Sequence, residues 1–267
     1  MGNTLFRFRV GQLLLVSILS LLELQGCQIN TQEKAEQTQQ TNKRNNTAAY
    51  NIQLGLGYLQ QDNRPRAKRK FLKALELSPK SPEANAAMAF YMEKTGNLDE
   101  AKTFYKKALT LAPENGAQLN NYGAFLCRIG SYQEAENYFI KAVNDVNYIN
   151  TAGAYENAGL CAAAIPDEKK AEHYFLRALE QDPRRRQSLI ELVSIQLKQN
   201  KPANALTYLQ KYHEIALTDR ILLKLAAQVA QKAGKTDLEA DYKLRLSRLT
   251  YLTKSSGAIN EYNNNNG

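Results

Sequence analysis

The feature that most constrains this chain is the recurrence of small, aromatic and proline residues at a fixed spacing. Ala67, Ala101 and Ala135 stand 34 residues apart; Ala171 follows after 36, Ala205 after 34 and Ala240 after 35. Four residues beyond the first four alanines come Phe71, Tyr105, Phe139 and Phe175, and seven beyond them Ala74, Ala108, Ala142 and Ala178. Gly55, Ala89, Gly123 and Gly159 lie twelve before those alanines, and Pro79, Pro113, Asn147 and Pro183 twelve after, with only the asparagine breaking the pattern. A period of this length means that each unit is one supersecondary element whose apolar face only a neighbouring unit can cover.

The physics of the pattern is that of paired helices. Glycine or alanine sits where two antiparallel helices cross closely, and the aromatic fills the space between one pair and the next. The proline ends the second helix because it cannot continue it. This arrangement resembles the tetratricopeptide repeat (TPR), which implies an all-α fold, a right-handed superhelix of about six helix-turn-helix repeats. The register places repeats at 48–81, 82–115, 116–149 and 152–185, with weaker units at 186–219 and 220–253. The fifth unit keeps Leu192, Ala205, Leu209 and Tyr212; the sixth keeps Ala227, Gly234 and Ala240 with a one-residue insertion. Fourteen glycines and seven prolines in 267 residues are too few for a collagen-like chain or for a sandwich turning every ten residues or so.

The N-terminus reads as an address. Arg7 and Arg9 precede the apolar run Val10 to Leu22, which is too short for a membrane span of ~20 residues and has the form of an export signal. Leu24-Gln25-Gly26-Cys27 closes it and resembles the lipobox of bacterial lipoproteins. The resemblance implies residues 1–26 as signal peptide and acyl chains on Cys27; Gln28, where an aspartate is the usual inner-membrane signal, implies the outer membrane, periplasmic face. The alternative is an ordinary cleaved export signal with a cysteine nearby. Residues 27–47 then form a tether, poor in large apolar side chains and so expected to be flexible, with a reach of ~25 Å as coil. The tail, 254–267, ends in asparagines and is expected to be disordered.

Two central strings narrow the family. Asn120 to Phe139 reads NNYGAFLCRIGSYQEAENYF, and Ala154 to Cys161 reads AYENAGLC after a two-residue insertion. With the lipobox, the tether and the repeats, these resemble the type IV pilus biogenesis pilotin lipoproteins of the PilF/PilW family. The resemblance implies a non-enzymatic protein that binds subunits of the type IV pilus secretin (PilQ-like) and promotes their outer-membrane targeting and multimerisation. The alternative is another envelope TPR lipoprotein, an adaptor for barrel assembly or for peptidoglycan hydrolases.

TPR likeness also implies a peptide-binding groove lined by the first helix of each repeat. In repeat 1 the groove places hold Ala49, Ile52, Leu56 and Leu59, with Phe90 in repeat 2 and Leu160 in repeat 4 as further candidates for groove or core. Contiguous exposed apolar area marks an interaction site. Asn120 and Glu156 fall on the groove face of repeats 3 and 4, for a ligand's backbone or for an inter-repeat hydrogen bond. Cys127 and Cys161, in the first helices of consecutive repeats, either form a disulfide in an oxidising compartment or serve as small buried hydrophobes. Arg66, Arg69, Lys70 and Lys73 make a basic stripe on one helix, either a solvated convex face or a contact for acidic head groups.

Thirty-five Lys and Arg against 26 Asp and Glu give a net charge of +9, which favours anionic partners. Nucleic acid is a poor explanation, because the basic stretches lack interleaved aromatics. No cofactor, metal site or catalytic set is expected. His173 and His213 have no metal-spaced partner. Gly234-Lys235-Thr236 imitates the end of a P-loop, but Val229 stands where the first glycine should be.

Overall fold

A computed structural model describes residue 34 and residues 36–264, with side chains to residue 251. The export signal, Cys27 and the tether up to residue 33 lie outside the described residues. Every described element is a helix or a turn. The first, α1, spans 36–60. It is followed by α2 (Arg64–Leu77), α3 (Pro82–Lys94), α4 (Leu98–Leu111), α5 (Gly116–Arg128), α6 (Tyr132–Asn144) and α7 (Thr151–Ala164). Then come α8 (Glu168–Gln181), α9 (Arg186–Lys198), α10 (Pro202–Lys211), α11 (His213–Ala216), α12 (Arg220–Lys232) and α13 (Thr236–Asn264). Helices start at 82, 116, 151, 186 and 220, within a residue of the starts that the repeat register gives.

Local chemistry sets many of the helix starts. Ser81, Asn115, Asn150, Asp167 and Asp219 each accept a hydrogen bond from a backbone N–H in the first turn of the helix that follows, which satisfies donors that the helix leaves unpaired. The turns inside the repeats carry a second periodic signal. Asp62, Gly96, Gly130, Asn200 and Gly234 all have positive φ, the conformation that glycine, asparagine and aspartate tolerate best. Repeat 4 has Pro166 at this place, and there α7 leaves through Ile165 in an extended conformation instead.

The chain forms two compact units, the first ending at Ala101 and the second beginning at Lys102. In the first, Ala67, Phe71 and Ala74 are fully buried, and a Cβ on Gly55 would fall 2.5 Å from the Phe71 ring. In the second, α5 packs on α6, α7 on α8 and α9 on α10, while α6–α7 and α8–α9 join successive repeats. Phe139 and Phe175 are buried to within 1%; a Cβ on Gly159 would lie 2.6 Å from Phe175. The small residue and the aromatic of one repeat are therefore two halves of one contact, whereas the spacing had placed the aromatic between one pair and the next.

Three expectations change. Residues 36–47, assigned to a flexible tether, are helical and continuous with repeat 1. Ser78 donates to Asn45 at 2.7 Å, and Ala48 packs with Ala74 and Ala84, so the extension is held where it meets the repeat. At the other end α13 runs on to Asn264, beyond Thr253 where the sixth repeat was expected to close. Within it Ala240 is exposed, whereas Tyr242 is 6% exposed and supplies the inward contact; the one-residue insertion inferred for this repeat misplaced its inward face.

Candidate protein-docking site

Leu56 and Leu59, one turn apart on α1, are both half-buried. With Phe90 of α3 they line a groove of about 300 Å³, rimmed by Gln60, Asp62, Arg64 and Lys94. Phe90 is half-exposed, and the Lys94 ammonium lies 5.2 Å from its ring centroid, a cation–π contact that holds the ring in place. Asp62 and Arg64 pair across the turn at 2.9 Å. An apolar floor with a mixed-charge rim is the anatomy of a protein-docking patch. Spacing revealed the floor, whereas the rim residues were missed. Lys94 was legible as the residue four after Phe90 on the same helical face.

The row expected in repeat 1 is not continuous. Ala49 and Ile52 line a separate recess of about 720 Å³ with Ser78 to Glu83 of the α2–α3 turn. Ile52 also packs against the Ala48, Ala74 and Ala84 cluster. The groove proper is therefore Leu56, Leu59 and Phe90. Leu160 is 38% exposed and so is not core.

The polar candidates have structural partners instead. Asn157 donates to Asn120 at 3.0 Å, and Asn120 is only 9% exposed. Glu156 accepts from the Ser188 backbone N–H at 3.1 Å and hydroxyl at 2.8 Å, with the Arg185 guanidinium 3.5 Å away. Both residues thus join consecutive repeats, so the inter-repeat hydrogen bond, not the groove, takes these side chains. Cys127 and Cys161 are bonded as a disulfide, with Cα atoms 5.7 Å apart. The two-residue insertion did not carry the cysteines out of reach.

Sequence reasoning also missed a ladder on the second helices. Tyr174 donates to Glu136 at 2.6 Å, and Tyr208 to Glu172 at 3.3 Å. Lys170 also reaches Glu136, at 2.9 Å. Burial raises the Glu136 pKa, but the hydrogen bonds from Tyr174 and Lys170 outweigh it and leave it below the usual carboxylate value. The signal lay in Tyr138, Tyr174 and Tyr208, which share one repeat place. In the basic stripe Arg66, Arg69 and Lys73 are exposed and Lys70 half-exposed, with Lys73 paired to Glu76 at 2.7 Å. Among the described residues no His, Cys, Asp and Glu cluster could hold a metal ion.

This combination of capped helix pairs, small-residue crossings and an open apolar groove defines a TPR protein, a scaffold for protein contacts. Residues 82–115 and 167–216 match the tetratricopeptide repeat family. The type IV pilus assembly protein PilF of Pseudomonas aeruginosa is 30% identical over 198 residues, 74% of this chain and 79% of the relative. A solved structure of Pseudomonas aeruginosa PilF is 31% identical, with a TM-score of 0.63, covering 78% of this chain and 93% of that one. The structure of PilW, described as a widely conserved type IV pilus biogenesis factor, is 25% identical with a TM-score of 0.61, covering 77% and 98%. The chain belongs to the PilF/PilW family of type IV pilus biogenesis TPR proteins.

Proposed function

We propose that this protein is an outer-membrane lipoprotein that binds type IV pilus secretin subunits, carries them to the outer membrane and promotes their assembly into the ring. The observation that carries this reading is the groove of Leu56, Leu59 and Phe90, an exposed apolar site in a member of a pilus-assembly family. The lipobox-like Leu24 to Cys27 supports the membrane address. Each buried CH₂ contributes ~0.8 kcal/mol, so several acyl chains on Cys27 would anchor the protein stably. A secretin segment held in the groove then travels with the anchor. Binding also covers apolar surface that an unassembled subunit would otherwise expose.

The test is a deletion strain. Secretin is expected to remain monomeric or mislocalised without this protein, and to copurify with it from membranes when it is present. Normal secretin rings in the deletion strain would overturn the proposal. Capture of barrel-folding machinery, with a joint fall in many porins, would instead identify a barrel-assembly adaptor.

A further inference from the structure

The second unit carries a cleft that neither the repeat pattern nor the first groove explains. It has a volume of about 640 Å³ and lies between the start of α12 and the middle of α13, with Arg186 of α9 at its edge. Its floor is apolar: Leu246 and Leu249 line it and are half-buried, and Ile221 is 51% exposed. Its rim is cationic, with Arg186, Arg220 and Lys224.

The single carboxylate of the cleft, Asp219, is already engaged. It accepts from the backbone N–H groups of Ile221 at 2.8 Å and Leu222 at 3.0 Å, and it pairs with Arg186. It therefore occupies the helix N-terminus and neutralises one of the three cations. Arg220 and Lys224 are left, both exposed, with no ion pair among the described residues. They are four residues apart on one helix, so they repel one another and disfavour the helix that carries them. An anion between them removes that repulsion, and Arg220 offers a planar fork to a carboxylate.

We propose that this cleft docks an acidic peptide segment of a partner protein, its carboxylates on Arg220 and Lys224 and an apolar side chain on Ile221, Leu246 and Leu249. An apolar centre with a charged rim suits a short segment rather than a free anion. A concave recess of this size suits a side chain better than a bilayer, which meets protruding groups. The site is independent of the secretin groove, which lies in the other unit, and it stands or falls separately.

The test is fluorescence anisotropy on the whole chain with a labelled synthetic peptide of Glu, Asp and Leu, and with its Lys-for-Glu/Asp counterpart as control. The acidic peptide is expected to bind and the basic one not. Arg220→Glu with Lys224→Glu should weaken binding at least tenfold, and Ile221→Asp should do likewise. Arg69→Glu with Lys73→Glu removes the same charge from the first unit and should change binding less than twofold. Equal losses from the two charge-reversal pairs would show attraction to net charge alone and overturn the proposal. So would undiminished binding, or vesicles of anionic lipid that depend on Arg220 and Lys224 when the peptide does not. Circular dichroism checks folding, and Arg220→Gln with Lys224→Gln serves if the reversed pair misfolds, with at least a fivefold loss expected.

Discussion

Repeats 1 and 4 use their first helices very differently. In repeat 1 the groove face holds Leu56 and Leu59, half-buried beside Phe90. In repeat 4 the places of Leu56 and Leu59 fall on Leu160 and Ala163, both exposed, while other groups of the same helix are already committed: Glu156 to Ser188, and Asn157 to Asn120, with Cys161 bonded to Cys127. One architecture thus provides a docking groove where Phe90 stands beside the apolar first-helix places, and a stiff joint where polar and cysteine side chains of the first helix reach into neighbouring repeats. The difference arises from side chains, since the backbone repeat is common to both.

The joint is the place to break first. Replacing Cys127 and Cys161 by serine should cost roughly 2–4 kcal/mol, in line with the closing of a loop of this length, measured as a fall in the denaturant midpoint. Glu156→Ala strands the Ser188 donors and should cost about 1–3 kcal/mol without altering secretin capture. Acid should loosen other contacts between repeats as well. Burial raises the Asp219 pKa, but Arg186 and the Leu222 and Ile221 N–H groups bring it below its usual value; Glu136 is net lowered too. Groups depressed in the folded state contribute stability above their unfolded pKa, near 4, and lose it as pH falls through the folded value. Thermal midpoints should therefore drop from pH 5 to pH 3, with a shallower slope in Glu136→Gln. Leu59→Asp should change stability least, by about 0.5 kcal/mol, yet abolish capture of secretin from membranes. A variant that captures secretin normally would show that the open groove is not the docking site.

How much of this was readable beforehand follows from what a repeat encodes. Spacing reveals the places that every unit must keep, so Gly55, Gly159, Phe71 and Phe175 were legible as structural residues and the helix starts followed, but the packing of each ring on the glycine of its own repeat was not. It is silent on contacts made once. Ile52 occupies a groove place by periodicity, but the packing of α1 on Ala74 and Ala84 draws it toward the core. Asn120 has the composition of a ligand-binding residue and the geometry of a bracket, because Asn157 of the next repeat donates to it. Residues 36–47 lack large apolar groups and look unfoldable alone; they are helical because repeat 1 nucleates the turns that precede it.

That last feature alters the mechanics at the N-terminus. Twelve helical residues make a strut of about 18 Å at 1.5 Å each, braced at its base by Asn45 on Ser78. A pull or twist applied at residue 36 arrives at the first repeat as torque on a lever. Whatever holds the far end therefore also aims the mouth beside Leu56 and Leu59.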